Sequence, residues 1–296
     1  MAPGDDIIGI DLGGTKSAVA RYDARTWELQ QHEKMPTNAR DGFAAVLDRM
    51  LAQVEKMRTP ETRAIGLGVP GLVRQPEGVI ETLPNIPGAE GFAVRDLLMK
   101  KTGLPVEVDN DARCFALSEA RQGAGKGHRV VVGITMGTGV GGGIVIDGRI
   151  FHGAHGFAGE IGHVLLCPGE VPYPTNDPRG DAEQYLSGTA MGTRCEAAKR
   201  PEDYLEGQAC AYLQPSLFKE CAWLVTTIVH LLDPEIVVFG GSAGRALAHH
   251  LDGIEKELRH WMLPGAPLPK LACAMLPHPG TLGAALLTVT RDGTGF

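Results

Sequence analysis

The segment Val108–Arg113 reads Val-Asp-Asn-Asp-Ala-Arg and joins an extended run to an amphipathic helical pattern. Asp111 stands where that helix is predicted to begin, at the edge of a domain and outside its core. A carboxylate at such a position can accept a proton from a substrate hydroxyl, which is what phosphoryl transfer requires of its base. Asp111 and Asn110 are also good helix N-caps. The residues alone therefore leave two interpretations of Asp111 open, a general base and a helix cap.

Two glycine-rich turns follow the same plan of strand, glycine turn and strand. The first turn is Asp11-Leu-Gly-Gly-Thr-Lys16, and the second is Met136-Gly-Thr-Gly-Val-Gly-Gly-Gly143, near the middle of the chain. The tip of such a hairpin presents backbone amides that can bind a phosphate without lysine or arginine. Neither turn has the spacing of a mononucleotide-binding P-loop or of a Rossmann fingerprint. The repeat predicts a duplicated fold with a central cleft, in which each hairpin is either a tight turn or a phosphate cradle.

Single side chains in and near these turns extend the prediction. Asp11 ends a buried strand, where it either holds Mg²⁺ through water or stabilises the turn. Thr138 is placed to hydrogen-bond a phosphate, whereas Lys16 suits a phosphate contact or a solvated surface charge. Glu160 and His163 lie among glycines and alanines, which would let a polyhydroxylated ligand approach closely. A metal at His163 would need further ligands that its neighbourhood does not offer.

The pattern around these residues is that of an α/β protein with mixed sheets and flanking helices. The helix after Asp41 has one apolar face, made of Phe43, Val46, Leu47, Met50, Leu51, Val54 and Met57. Helices are also predicted over Glu183–Arg200 and Glu202–Leu213, and an Ala/Leu-rich helix over Thr281–Val289 is expected to pack on the first lobe. We predict an N-terminal lobe of residues 1–113 plus 281–296 and a C-terminal lobe of residues 114–280.

Composition narrows the classes of function. The chain has 296 residues, 43% of them hydrophobic and 21% charged, with a net charge of -7, so it folds but lacks the clustered basic side chains that nucleic acids and acidic membranes require. The six cysteines lie far apart and are interpreted as reduced thiols. No apolar stretch approaches the roughly 18 residues of a spanning helix. A cytoplasmic protein without nucleic-acid or membrane partners is predicted.

With these stretches identified, the chain resembles the ROK family, which is named after repressors, open reading frames and kinases. The resemblance extends over nearly the whole chain. The motifs that carry it, in order, are Asp11-Leu-Gly-Gly-Thr-Lys16, Gly68-Val-Pro-Gly71, Pro84-Asn85, Asn110-Asp111-Ala112, Met136-Gly-Thr-Gly-Val-Gly-Gly-Gly143, Gly159-Glu-Ile-Gly-His163, Glu183-x-Tyr-x-Ser-Gly188 and Phe239-Gly-Gly241. None of them is decisive alone, but the ordered set is highly specific.

The resemblance implies a two-lobed actin-like ATPase fold of the ribonuclease H-like kind, whose lobes close on ATP and a hexose. It implies that Asp111 deprotonates the sugar hydroxyl that attacks the γ-phosphate, and it makes a homodimer the expected assembly. It implies sugar-binding roles for Gly71, Asn85, Asn110, Asp111, Glu160, His163 and Glu183. It implies ATP-binding roles for Gly13, Gly14, Thr15, Lys16, Gly137, Thr138, Gly139, Gly240 and Gly241.

One motif of the family is altered in this chain. Family members usually carry Cys-x-Cys-Gly-x-x-Gly-Cys, a zinc motif, after the histidine that corresponds to His163. Counted back from Gly180, the three cysteine positions are occupied by Pro174, Asn176 and Asp181. Because proline is no ligand and tetrahedral zinc needs four, we predict no zinc site. The Pro-rich loop is expected to pack in its place, and the orientation of His163, and with it the sugar specificity, no longer follows from the resemblance.

The combined interpretation is an ATP- and Mg²⁺-dependent kinase that phosphorylates the 6-hydroxyl of glucose or a related hexose. N-acetylglucosamine, N-acetylmannosamine and fructose stay open as acceptors, because the same residues serve several sugars. A sugar-binding regulator without catalysis is disfavoured by Asp111 and the two hairpins, and a structural ATPase by the loop around Glu160 and His163. A DNA-binding domain before the first strand, as in the repressor branch, is not expected because that strand is predicted to begin at about Ile7.

Overall fold

The computed structural model describes residues 4–205 and 209–289, and the chain forms two compact units. The first unit runs to Ser118, takes in His152–Ala158 and resumes at Leu276, whereas the second comprises Glu119–Phe151 and Gly159–Met275. The boundaries between the units at 118/119 and 275/276 thus lie five residues from the lobe boundaries predicted at 113/114 and 280/281. In addition, the short segment His152–Ala158 belongs to the first unit.

The first unit is built on a mixed sheet. Its strands are β1 (Asp6–Leu12), β2 (Lys16–Asp23), β3 (Leu29–Pro36), β4 (Thr62–Val69), β5 (Leu72–Arg74), β6 (Val79–Thr82) and β7 (Val106–Asn110). Among the described residues, five of them form the sheet in the order β3-β2-β1-β4-β7, and β5 pairs with β6 separately. The pairs β3-β2 and β2-β1 are antiparallel, while β1-β4 and β4-β7 are parallel. The predicted β1-β2 hairpin therefore lies at the centre of the sheet.

Helices cover this sheet because each has an apolar face. They are α1 (Phe43–Met57), α2 (Val94–Thr102), α3 (Asp111–Gln122, which ends in the second unit) and the last described helix of the chain, α9 (Pro279–Leu287). The predicted apolar face of α1 is confirmed, since all seven residues assigned to it are buried. The predicted C-terminal helix is confirmed as well, and Thr281–Leu287 are buried in the first unit.

The packing of α9 on the sheet depends on glycines in the two central strands. A Cβ atom added at Gly9 would lie 1.9 Å from the carbonyl oxygen of Thr281, and one added at Gly66 would lie 1.7 Å from that of Ala284. Side chains at these positions would push the helix away. The glycines therefore allow backbone-to-backbone contact between α9 and the strands β1 and β4.

The second unit repeats the plan of the first. Its strands are β8 (Val130–Met136), β9 (Val140–Ile146), β10 (Arg149–Ile150), β11 (Ile236–Gly240) and β12 (Lys270–Cys273). Within the described ranges they form a sheet in the order β10-β9-β8-β11-β12, again with an antiparallel hairpin joined to two parallel strands. The predicted duplication is confirmed, because the β8-β9 hairpin occupies the position that β1-β2 has in the first sheet.

The helices of the second unit include one correction. They are α4 (Ala182–Leu186), α5 (Gly188–Arg194), α6 (Gln214–Leu232), α7 (Gly241–Ala246) and α8 (Leu251–Trp261). The continuous helix predicted over Glu183–Arg200 is wrong, because the Ser187 hydroxyl accepts the amide of Ala190 at 3.0 Å and starts a new helix. The helix predicted over Glu202–Leu213 is wrong in its described part, which has only short 3₁₀ turns, and residues 206–208 lie outside the described residues.

A disulfide joins Cys195 and Cys210. The prediction of reduced thiols is therefore wrong for these two residues and holds for Cys114, Cys167, Cys221 and Cys273. The two residues are 15 positions apart in the chain, and spacing in the sequence carries no signal of such proximity. In the part of the chain that the structure describes, no helix is both long and apolar enough to cross a membrane.

Candidate functional site

Asp111 lies directly at the junction of β7 and α3. The Oδ1 atom of Asn110 accepts the backbone amides of Ala112 at 2.9 Å and Arg113 at 3.2 Å. Oδ1 of Asp111 accepts the Ala112 amide as well, at 2.8 Å. Asn110 therefore caps the first turn of α3, and Asp111 accepts one of the same two amides, that of Ala112. Capping by Asn110 is compatible with a separate chemical role for the half-buried Asp111.

Other predicted sugar-binding residues of the first unit lie beside this junction or beside the first hairpin. Nδ2 of Asn110 donates to the carbonyl oxygen of Gly71 at 3.1 Å. The exposed Asn85 stands against the hairpin tip, since a Cβ atom added at Gly14 would lie 3.1 Å from Cβ of Asn85. The fold thus brings Gly71 to Asn110 and Asp111, and it brings Asn85 to the predicted phosphate hairpin.

The first hairpin has a fixed base and an open tip. The Gly13 amide donates to the carbonyl oxygen of Lys16 at 3.1 Å, and the buried Thr37 donates its hydroxyl to the Gly13 carbonyl at 2.6 Å. The Thr37 amide donates to the carbonyl oxygen of Thr15 at 2.9 Å. The side chains of Thr15 and Lys16 are exposed. This arrangement presents the tip as a preformed backbone turn, which is what an anion-binding loop requires.

Asp11 is the penultimate residue of β1, at the base of this hairpin. Burial raises the pKa of its carboxyl group to about 6, and the ammonium group of Lys34 opposes this rise. Its side chain packs on the start of α9, because a Cβ atom added at Gly280 would lie 2.2 Å from Asp11 Oδ2. Above pH 6 the side chain is ionised, and carboxylate oxygen is the ligand type that Mg²⁺ prefers. Asp11 therefore fits the metal-binding role that the sequence predicts for it.

A buried ionic network that the sequence did not indicate holds the segment His152–Ala158. Nε2 of His152 lies 2.6 Å from Oδ2 of Asp109, and the guanidinium of Arg113 lies 3.4 Å from Oδ1 of the same carboxylate. Arg113 also donates to the carbonyl oxygen of Gly156. Asp109 and Arg113 are almost completely buried. The network thereby fixes the segment that leads directly into Gly159 and Glu160, and no spacing in the sequence pairs His152 with Asp109.

In the second unit, Glu183 is bound to the β8-β9 hairpin. Its Oε2 atom accepts the backbone amide of Val140 at 2.9 Å and leaves no room for a side chain at Gly139, where a Cβ atom would lie 2.4 Å away. The start of α5 holds the other side of the tip, because the Gly188 amide donates to the carbonyl oxygen of Gly137 at 2.7 Å. The predicted sugar ligand Glu183 and the predicted phosphate turn are therefore one connected structure.

Glu160 precedes a single 3₁₀ turn, Ile161–His163, that packs on β9, and His163 is the last residue of this turn. A Cβ atom added at Gly162 would lie 2.1 Å from the Val140 carbonyl oxygen. The backbone amide of His163 donates to the carbonyl oxygen of Glu160 at 3.1 Å. The imidazole ring of His163 is exposed, and its Nδ1 atom lies 3.2 Å from Oδ2 of the buried Asp181.

A cavity of about 310 Å³ opens beside the tip of the second hairpin. It is lined by Gly137, Thr138, Gly188, Thr189, Met191, Gly192, Ala198, Lys199, Arg200, Tyr204 and Ser242. Gly240 and Gly241 directly precede Ser242, and Gly241 has a φ of 74° that favours glycine. Lys199 and Arg200 add positive charge to this wall that the sequence did not indicate, because they were predicted only as the last two residues of a helix.

The two sheets, each with a central glycine hairpin and flanking helices, define the class of the protein as an actin-like ATPase fold. The model of the ROK family matches residues 7–291, and the chain belongs to that family. It is a sugar kinase of the family, as its relatives are.

Three similar proteins illustrate the relationship. The glucokinase of Halalkalibacterium halodurans is 33% identical over 87% of this chain and 86% of its own length. The N-acetylgalactosamine kinase AgaK of Shewanella sp. is 31% identical over 94% of this chain and 95% of its own length. The crystal structure of a ROK family glucokinase from Streptomyces griseus, in complex with glucose and AMPPNP, has a TM-score of 0.78 and 27% identity, and the match covers 95% of this chain and 98% of that one.

Proposed function

We propose that this sugar kinase transfers the γ-phosphate of ATP to the 6-hydroxyl of glucose or a related hexose, with Asp111 as the general base. The observation that carries the proposal is the division of roles at the β7-α3 junction. Asn110 caps α3 through two amides, so Asp111 is not the only residue that stabilises the start of the helix. A carboxylate at that position can accept the proton of a bound sugar hydroxyl.

In the proposed reaction Asp111 accepts the hydroxyl proton as the sugar oxygen bonds to the γ-phosphorus, and the bond to the β,γ-bridging oxygen breaks to release ADP. Asn85, Asn110, Glu160, His163 and Glu183, with Gly71, orient the sugar so that only one hydroxyl is presented to the base. Such positioning contributes to the rate because it replaces a bimolecular encounter by a fixed geometry.

The phosphates are proposed to bind the hairpin tips. Gly13, Gly14, Thr15 and Lys16 supply donors in the first unit, and Gly137, Thr138 and Gly139 supply them in the second. The cavity beside Thr138, preceded by Gly240 and Gly241, is proposed to take the adenosine. Lys199 and Arg200 lie on the wall of this cavity and make it locally positive, although the whole chain has a net charge of -7.

Mg²⁺ is proposed to accompany the nucleotide, with Asp11 holding it through water. When bound, the ion neutralises charge on the phosphate oxygens. Asp11 suits this role because its carboxyl group, with a pKa raised to about 6 by burial, is ionised at neutral pH.

Two acceptor classes are compatible with the family. Similarity to the glucokinase of Halalkalibacterium halodurans is an argument for glucose as the acceptor of this enzyme. Similarity to the N-acetylgalactosamine kinase of Shewanella is an argument for an N-acetylhexosamine. We place glucose first and N-acetylglucosamine or N-acetylmannosamine second, followed by fructose. A panel of these sugars with ATP and Mg²⁺, assayed as sugar phosphate formed, separates the alternatives. Formation of no sugar phosphate with any acceptor, together with intact sugar binding, would instead favour a non-catalytic sugar-binding regulator.

The role of Asp111 is tested by Asp111→Asn. The amide keeps an oxygen for the Ala112 amide and cannot act as a base, so sugar binding is expected to persist while kcat falls by at least about 10²-fold. The exposed Asp96→Asn is a matched control, because it removes a carboxylate at the first turn of α2 and should leave kcat unchanged. Near-normal turnover by the Asp111→Asn enzyme would exclude Asp111 as the base.

We further propose that the enzyme is a cytoplasmic homodimer. The cytoplasm is where ATP and free sugars meet, and the homodimer follows from the family resemblance. Sedimentation equilibrium of the purified chain, whose monomer mass is 31.4 kDa, tests the assembly.

A further inference from the structure

The loop that precedes α4 occupies the place of the family's zinc motif, and its residues do not fit a zinc ion. Pro174 has no donor atom, Asn176 offers an amide, and the carboxylate of Asp181 already accepts two protein donors. A closed structural zinc site needs four ligands, usually thiolates and imidazoles. In the described residues, no group of three or more His, Cys, Asp or Glu side chains is placed to hold a metal ion.

Asp181 instead contacts His163 directly. Its side chain is 1% exposed, and its Oδ2 atom lies 3.2 Å from Nδ1 of His163, whose ring is 53% exposed. The carboxylate stands at the last cysteine position of the motif, so a residue that would be a zinc ligand in the family makes a hydrogen bond to the histidine here. In this chain, the hydrogen bond between Asp181 and His163 takes the place of a zinc ion bound to both of these positions.

The position of this carboxylate is itself fixed. Oδ1 of Asp181 accepts the amide of Gln184 at 3.1 Å, and Oε1 of Gln184 accepts the amide of Asp181 at 3.4 Å and that of Gly180 at 2.7 Å. This capping box starts α4. Gln184 also donates to the carbonyl oxygen of Asp177 at 2.8 Å, and Asp177 holds Arg179 through several hydrogen bonds. Asp181 is therefore a rigid acceptor.

We infer that Asp181 is a positioning residue that sets the tautomer and orientation of His163 in place of zinc. An ionised carboxylate can only accept, so the His163 ring carries its hydrogen on Nδ1 and offers Nε2 as the acceptor for a sugar hydroxyl. Nη1 of Arg179 lies 3.5 Å from Nδ1 and 3.4 Å from Asp181 Oδ2. A guanidinium group only donates, so a ring with its hydrogen on Nδ1 leaves Asp181 Oδ2 as the acceptor for Arg179. The arginine and the imidazole thus share one carboxylate oxygen. The sugar contact rests on the proposed function, whereas the tautomer does not.

The first test measures the tautomer. Nitrogen-15 NMR of histidine-labelled protein at pH 8, with the His163 signals assigned from their loss in His163→Gln, is expected to show the hydrogen on Nδ1. In Asp181→Asn, whose amide can donate to Nδ1, the hydrogen is expected to move to Nε2. An Nε2-protonated ring in the unaltered protein, or the same tautomer in both proteins, overturns the inference whether or not the enzyme phosphorylates a sugar.

The second test separates positioning from helix capping. Asp181→Ser keeps a good N-cap for α4 but is too short to reach His163. We expect the sugar KM to rise about tenfold or more and kcat to change less than threefold. Ser187→Ala removes the cap of the adjacent α5 without contact to His163 and should leave the sugar KM unchanged.

A double-mutant cycle completes the design. In a His163→Ala background, Asp181→Ser is expected to have no further effect on the sugar KM, because the group that it positions is gone. Additive effects of the two substitutions, or one tightly bound zinc per chain in metal analysis of the unaltered protein, would contradict the inference.

Discussion

Nε2 of His152 lies 2.6 Å from Oδ2 of Asp109, a carboxylate that is almost fully buried at the end of β7. Asp109 is adjacent to Asn110, and its other oxygen accepts the Asn110 amide at 2.8 Å. One side chain thus joins the segment that leads to Glu160 with the strand that leads to Asp111. The pair therefore holds the segment His152–Ala158 against β7 within the first unit.

Asp109→Asn is expected to lower the free energy of unfolding by about 3 kcal/mol or more, because the substitution removes the buried negative charge that lies 3.4 Å from the Arg113 guanidinium. The sugar KM should rise as His152–Ala158 is released. Chemical denaturation and steady-state kinetics measure the two effects. Glu81→Gln, which breaks the exposed pair with Arg74, should cost less than about 1 kcal/mol. Equal losses of unfolding free energy in both variants would show that the buried network stabilises the protein no more than an exposed ion pair does.

The raised pKa of Asp11 gives stability a defined dependence on pH. The native state holds this proton more tightly than the unfolded chain does, so the cost of ionised Asp11 is absent below about pH 4 and complete above about pH 6. The rise from 3.8 to about 6 corresponds to at most about 3 kcal/mol. Asp11→Asn should therefore raise Tm at pH 8 in metal-free, nucleotide-free buffer and leave it unchanged at pH 4.

Asp23 is the matched control for Asp11, because the pKa of its carboxyl group is shifted in the opposite direction. The amides of Thr26 and Arg25 lower the pKa of its carboxyl group, so its contribution to stability is present at neutral pH and is lost as the pH falls through the folded-state pKa. Asp23→Asn should lower Tm at pH 8 and have less effect in acid. A higher Tm at pH 8 for Asp23→Asn, or a lower one for Asp11→Asn, would contradict the assigned signs.

The disulfide between Cys195 and Cys210 closes the segment that carries Lys199, Arg200 and Tyr204 on the cavity wall. Its reduction should lower the free energy of unfolding by about 3 kcal/mol, as expected for a loop of 15 residues. Because the segment gains freedom, the KM for ATP should rise more than the KM for sugar.

Thiol titration under denaturing conditions tests the bridge directly. Four thiols are expected without a reductant, from the free cysteines, and two more after treatment with a dithiol. Cys273→Ser is the control, since it removes a free thiol and should leave the effect of the reductant on the ATP KM unchanged. Detection of all the thiols before reduction would show that the bridge does not form.

Two glycines near the cavity are expected to respond oppositely to alanine. At Gly241 the φ of 74° is unfavourable for alanine, and its Cβ atom would lie 2.3 Å from the carbonyl oxygen of Met136. Gly241→Ala should therefore raise the ATP KM at least about tenfold, a shift of about 1.4 kcal/mol. At Gly192, inside α5, a Cβ atom would meet no protein atom within 4 Å, so Gly192→Ala should be slightly more stable and should weaken ATP binding far less than Gly241→Ala does.

Calorimetric titration with a non-hydrolysable ATP analogue and thermal melting measure the two glycine variants. A similar loss of nucleotide affinity at both positions would point to crowding of the cavity and not to the backbone of the β11-α7 turn.

The sequence predicted those features that depend on local periodicity. The α1 face was recovered because a buried helix repeats its apolar positions every three to four residues. The duplicated hairpins were recovered because glycine turns between β-branched runs have a recognisable spacing. Helix continuity after Glu183 was overpredicted, since the hydroxyl cap of Ser187 outweighs the helical propensity of the flanking residues.

The unpredicted features depend on partners distant in the sequence. Asp109 and His152 are 43 residues apart, and nothing near either residue indicates the other. The contact of Asp181 with His163 was not predicted either, although the altered zinc motif marked Asp181 as unusual. Asn110 could be predicted as a helix cap from the sequence. Which helix amides Asn110 and Asp111 each accept depends on the side-chain conformations, which the sequence does not specify.

The contact of α9 with β1 and β4 has a consequence for the order in which the protein matures on the ribosome. The first sheet is synthesised early, yet the face that carries Gly9 and Gly66 receives its covering helix only after Leu287 has been added. The second unit, by contrast, contains all its own strands once Met275 has emerged. The half of the enzyme that is translated first can therefore complete its packing only after the strands of the second unit have been synthesised.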